Sequence, residues 1–122
     1  MLFVGTEHEQ GGFGMNGFAV LTVGFSSDGF AVIALQVDEV CRVTLAGELD
    51  MFTCKLLHKQ LEDAHGRVIV DCEDLTFADS TGIGVLIQIA NSVESLTLLK
   101  PPIAIRRVIE MLGLTEVLRI DG

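Results

Sequence analysis

Residues 67–71 read Arg-Val-Ile-Val-Asp, a short apolar run bounded by charge and without a polar face. Such a run is stable as a strand only when both of its faces are covered, which is the situation of a central strand in a parallel sheet. Parallel neighbours cannot be joined by a tight turn, so the chain on either side must supply crossovers, usually helical. The flanking periodicity agrees. Before the run, Thr53, Leu57, Leu61 and Ala64 lie near one helical face, with Asp50 or Thr53 able to cap and His65-Gly66 to end the helix. After it, Ile83, Leu86, Ile87, Ala90 and Val93 recur at spacings of three and four beyond the loop CEDLTFADS.

The same reading extends along the chain. FAVLTVGF at 18–25 and FAVIALQV at 30–37 flank the turn signal Ser26-Ser27-Asp28-Gly29 and form a hairpin candidate. Asp38-Glu39 then turns the chain into VCRVTLAG, where Val40, Arg42, Thr44 and Ala46 alternate with Cys41, Val43 and Leu45. SLTLLK predicts a further strand. Pro101-Pro102 and Gly113 bracket a helix expected to bury Ile105, Val108, Ile109 and Leu112, and TEVLRI predicts a last short strand. The order from residue 30 is strand, strand, helix, strand, helix, strand, helix, strand. That order implies an α/β fold with a mixed, mostly parallel sheet, an antiparallel edge hairpin and three packed helices. Residues 1–17 hold five glycines and little periodicity and are expected to be weakly ordered. The expected division is thus a leader with a possible extra strand at 1–29 and one domain at 30–122.

Composition narrows the function. With 122 residues, 49% of them hydrophobic, the chain can bury one real core. No apolar run reaches the roughly 18–20 residues that span a bilayer. The first ten residues lack a basic n-region, so a soluble, cytoplasmic protein is expected. A net charge of -9 with only eight Lys and Arg argues against a nucleic-acid partner. It suits a basic protein partner instead. Cys41, Cys54 and Cys72 form no CxxC pair and sit in apolar periodic segments, as expected of core thiols in a reducing compartment.

Phe77-Ala78-Asp79-Ser80-Thr81-Gly82-Ile83-Gly84 carries the most functional information. It joins a buried strand to an amphipathic helix and places hydroxyls where ligands and partners meet open parallel sheets, beyond the carboxyl ends of the strands. Ser80 or Asp79 can cap the helix. Gly82 and Gly84 each weaken a helix by about 1 kcal/mol relative to alanine, so they serve either close packing on the sheet or close approach of a partner's backbone. A phosphoryl group on Ser80 would add about -1.5 to -2 charge at the positive end of the helix dipole, opposed by Asp79.

From about Phe30 to Gly122 the chain resembles the STAS domain of anti-sigma-factor antagonists. The resemblance rests on GELD at 47–50, VIVDCEDLTFADSTGIGVL at 68–86 and PPIAIRRVIEMLGLTEVL at 101–118. It implies partner switching. Ser80 would be phosphorylated by an anti-sigma factor that is itself an ATP-dependent serine kinase, phosphorylation would block binding, and a serine phosphatase would reset the cycle. The unmodified protein would capture the anti-sigma factor and so release a sigma factor. Asp50 is expected on the same rim as Asp79 and Ser80, with Thr81, Gly82, Ile83 and Gly84 in the docking surface. No cofactor is implied, since ATP and magnesium would belong to the kinase. The second helix and its exit are shorter than the family pattern by about one helical turn, and the terminal helix after the last strand is missing. The extra N-terminal strand or the leader before it is expected to cover the surface that helix would have covered.

Rival readings are weaker. A nucleophile elbow requires G-x-S-x-G, but position 78 is alanine. His8, His58 and His65 suggest no triad, no phosphate-loop sequence occurs, and no clustered ligand pattern supports a metal. Enzymatic activity is therefore not expected. The remaining alternative is a constitutive STAS interaction subunit of a transport or stress-sensing assembly, in which the serine is only a cap.

Overall fold

The computed structural model describes residues 2–10 and 18–122, with side chains from residue 19 onward. Among the described residues, seven strands form one sheet in strict chain order: β1 (Leu2–Gln10), β2 (Phe18–Ser26), β3 (Ala31–Val37), β4 (Val40–Leu49), β5 (Arg67–Ala78), β6 (Ser95–Leu99) and β7 (Arg119–Asp121). The first three pairings are antiparallel and the last three parallel. Helices α1 (Cys54–Gln60), α2 (Ser80–Ser92) and α3 (Ile103–Met111) form the three parallel crossovers.

Consecutive right-handed crossovers that all step in one direction place their helices on one side of a sheet. The burial pattern shows that side. Val32 and Ala34 of β3, Cys41, Val43 and Leu45 of β4, Val68, Val70 and Cys72 of β5, and Leu96 and Leu98 of β6 are buried. They pack with Leu56 and Leu57 of α1, Ile83, Leu86 and Ile89 of α2, and Ile105 and Ile109 of α3. No helix among the described residues covers the opposite side, where Ile33, Leu35 and Val37, alternating with the buried residues of β3, are exposed.

Four details differ from the sequence reading. The stretch 72–78, expected as loop, continues β5, because β4 also runs on to Leu49 and keeps pairing with it across two register shifts. Leu2–Gln10, read as a leader with little periodicity, is a strand in register with β2 from Leu2↔Ser26 to Gln10↔Phe18, while 11–17 lie outside the described residues. Val108 and Leu112, expected in the core, are 39% and 61% exposed, because α3 turns only its Ile105–Ile109 stripe toward the sheet. Finally, β1 and β2 extend the edge beyond β3, at the opposite end of the sheet from β7, so the antiparallel part is larger than the edge hairpin expected.

Candidate partner-binding rim

The long pairing of β4 with β5 brings two chain exits together. Leu49 is in register with Ala78, and the Asp79 amide donates to the Leu49 carbonyl at 3.1 Å. Asp50 and Asp79, each the next residue, therefore leave adjacent strands side by side at the carboxyl end of the parallel sheet. Asp79 has an extended backbone (φ -90, ψ -177), and its carboxylate accepts from the Gly82 amide at 2.8 Å, so it is the α2 cap. With that task taken, the Ser80 side chain is exposed and makes no hydrogen bond to any described residue. Thr81 beside it is exposed as well.

Asp50 organises the start of α1. Its Oδ1 accepts from the Thr53 amide at 3.0 Å and the Phe52 amide at 2.9 Å. The Thr53 hydroxyl in return accepts from the Asp50 amide at 2.9 Å and donates to the Glu48 carbonyl at 2.7 Å. The Thr53 amide first, with help from Phe52, holds the Asp50 carboxyl below its ordinary range against an opposing desolvation effect. The rim thus carries two half-buried carboxylates, Asp50 and Asp79, in fixed loops beside an exposed hydroxyl.

The two motif glycines have different surroundings. A Cβ at Gly82 would lie 2.6 Å from the Leu49 carbonyl oxygen and 2.8 Å from Leu49 Cγ, so Gly82 lets α2 close onto the end of β4. A Cβ at Gly84 would meet nothing within 4 Å. Gly82 and Ile83, both expected in the docking surface, are buried against the sheet, Ile83 at 5% exposure. Asp50, Asp79, Ser80, Thr81 and Gly84 keep solvent access.

Sequence reasoning missed the apolar part of this rim. Met51 and Phe52, in the turn that Asp50 holds, are 57% and 76% exposed, and Phe77 near the end of β5 is 48% exposed. These side chains add apolar surface to the otherwise polar rim. The signal lay in the sequence as Met-Phe directly after GELD, off the helical stripe of Leu57 and Leu61.

Other candidate chemistry is not assembled. His58 and His65 are exposed, the side chain of His8 lies outside the described residues, and no group of three or more metal-ligating side chains occurs among the described residues. The three cysteines are free and buried. Burial pushes the Cys41 thiol up to about 11 and the Cys72 thiol to about 12, the latter with help from the Asp71 charge. No helix among the described residues is long and apolar enough to cross a membrane.

Comparison with known proteins agrees with this architecture. Similar solved structures include an anti-sigma factor antagonist from Mycobacterium paratuberculosis, with TM-score 0.66 and 22% identity over 78% of this chain and 87% of that one. The phosphorylated Bacillus cell fate determinant SpoIIAA matches with TM-score 0.56 and 25% identity over 69% of this chain and 84% of that one. A third match, with TM-score 0.53 and 19% identity, covers 64% of this chain and 14% of the murine anion transporter Slc26a9. A family model described as "Mlab, STAS domain" matches residues 34–119, and on that match over more than half of its length the chain belongs to the STAS domain family.

Proposed function

We propose that the protein is an anti-sigma-factor antagonist whose rim binds an anti-sigma factor with serine kinase activity, and that phosphorylation of Ser80 ends the complex. The observation that carries this reading is the Ser80 hydroxyl: first in α2, exposed, and relieved of capping by Asp79. Asp79 uses the Gly82 amide, which leaves the Ser80 and Thr81 amides without an intrahelical acceptor. A phosphoryl group on Ser80 would lie over those amides and the positive end of the helix dipole, which supports its local accommodation. Its charge of about -1.5 to -2 would join Asp50 and Asp79 on a rim that already carries two carboxylates. A partner surface matched to the unmodified rim then meets a repulsive, desolvated charge, while the exposed Phe52 and Met51 supply the apolar contact of the unmodified state.

In this reading the transferred phosphoryl, ATP and magnesium are handled by the kinase, and the chain contributes only the accepting hydroxyl. A serine phosphatase restores the hydroxyl. The test is phosphorylation by an anti-sigma-factor kinase from the same cell, followed by intact-mass measurement, site mapping and affinity measurement. Ser80→Ala should bind like the wild type and gain no phosphoryl group, whereas Ser80→Asp should weaken binding. Equal affinities for the Ser80→Ala and Ser80→Asp proteins, or modification at another residue, would refute the proposal.

A second reading is a constitutive interaction subunit with an unmodified serine. It is favoured by the match to part of an anion transporter and by the family description carrying the Mlab name. A kinase that binds the rim tightly yet never modifies Ser80 would select it.

A further inference from the structure

β3 alternates between two environments. Val32 and Ala34 are buried under the helices, whereas Ile33, Leu35 and Val37 are 44%, 38% and 44% exposed on the other face of the sheet. The register carries that apolar surface onto β2, where Leu21 pairs with Leu35 and Val23 with Ile33, and where Phe25 is 44% exposed. No helix among the described residues crosses this face. The four exposed side chains present on the order of 300 Å² of apolar surface, to which the half-buried Leu21 and Val23 add. Contiguous patches of that size on a soluble domain mark interaction sites.

The charges on this face decide what covers it. The paired rows of β2 to β5, residues 19–25, 31–37, 40–46 and 67–71, hold only Arg42, Arg67 and Asp71 as charged residues. Two positive charges against one negative leave the rows near neutral in a chain whose total is -9, so repulsion between two copies arises elsewhere on the surface. Arg42 and Asp71 stand on neighbouring strands one row apart, since Arg42 pairs with Ile69 and Thr44 with Asp71. Both belong to the open side, alternating with the buried Cys41, Val43, Val70 and Cys72. Arg42 makes no hydrogen bond or ion pair with a described residue, and Asp71 uses one carboxylate oxygen to accept from the Glu73 amide at 3.0 Å. A patch with one unmatched charge of each sign side by side is its own complement: a two-fold axis passing between them in the plane of contact sets each against its opposite. An anionic bilayer, by contrast, is opposed by Asp71 and by the net charge.

We propose that the open face of β2 to β5 is a self-association surface. Two copies stack these faces about a two-fold axis, with Ile33, Leu35 and Val37 interleaved at the centre and Arg42 of each copy against Asp71 of the other. The extent suits such a contact. The seven residues of β3 span roughly 23 Å and four strands roughly 19 Å, so two faces together withdraw on the order of 1,000 Å² from water, enough for a specific interface. The Ser80 rim lies at the strand ends, outside the contact, and stays open on both copies.

Sedimentation velocity and light scattering of the full chain between about 1 and 100 µM should show a mass that rises toward twice that of the chain. Leu35→Glu should hold the protein monomeric with its circular dichroism unchanged, because the position is on the surface. Arg42→Glu and Asp71→Lys should each weaken the dimer at least about 100-fold, by setting like charges together at both symmetry-related contacts. Mixed in equal amounts, these two proteins should regain the dimer, since the substituted side chains then meet with opposite charges while the native pair survives at the other contact. Ser80→Asp should leave the mass unchanged, which separates this surface from the phosphorylation site. A wild type that stays monomeric at about 100 µM would overturn the proposal. So would a folded Leu35→Glu protein that still dimerises, or folded charge variants whose mixture remains monomeric.

Discussion

Substituting alanine at the two motif glycines should move stability in opposite directions. In an exposed helix, glycine to alanine is worth about 0.5–1 kcal/mol in favour of alanine. Gly84→Ala should realise that gain, since its Cβ enters open space. At Gly82 the same gain is opposed by a contact of 2.6 Å with a main-chain oxygen, which cannot rotate away, and one of 2.8 Å with Leu49 Cγ. Relief requires α2 to back off from β4, stretching the bond between the Asp79 amide and the Leu49 carbonyl, now 3.1 Å. Overpacking against a main-chain atom that cannot move aside falls in the upper part of the usual range, about 2–3 kcal/mol, which leaves a net loss of about 1–2 kcal/mol after the helix gain. For a domain of this size that is about 4–8 °C in Tm downward, against about 2–4 °C upward for Gly84→Ala. Chemical denaturation with both variants, read as the shift in midpoint at constant slope, measures the difference. A Gly82→Ala protein as stable as Gly84→Ala would show that α2 does not press on β4 as described.

The other predictions concern the rim and the titrating groups. Phe52→Ala should leave stability within about 0.5 kcal/mol of wild type, since the side chain is 76% exposed, yet weaken anti-sigma-factor binding by about 10-fold or more, checked by calorimetry. The Asp50 carboxyl is held below its unfolded value of 3.8, so the stability it contributes is present above that pH and is lost as pH falls through the lower folded value. Asp50→Asn should therefore flatten the acid limb of the Tm profile below pH 3.8. Cys41 and Cys72 are raised from 9.0 to about 11 and about 12, so the unfolded chain releases these protons first and stability should fall as pH rises from 9 toward 12. A thiol reagent should accordingly modify them only after denaturation.

How far the sequence spoke depended on whether one segment alone held the information. The RVIVD run, the glycine after α3 and the strand-to-helix junction at Asp79 carry their own signatures, and the order of elements from residue 30 follows from them. The length of β5 does not, because residues 72–78 are polar on one side and become a strand only through pairing with the end of β4. The exposure of Val108 and Leu112 likewise depends on how α3 is rotated against the sheet, which periodicity leaves open by a residue to either side. Gly82 and Gly84 look alike in the motif, and only the position of Leu49, more than thirty residues earlier, separates a packing glycine from an open one.

The strict chain order of the strands bears on how the molecule is made. Each strand pairs only with its predecessor and its successor, so a segment leaving the ribosome always finds its first partner already synthesised. Assembly can advance from the amino terminus one strand at a time, without long loops held open for a later arrival. Loop-closure entropy then stays small at every step, and the parallel half, the slower part to form, is added to a hairpin template that already stands.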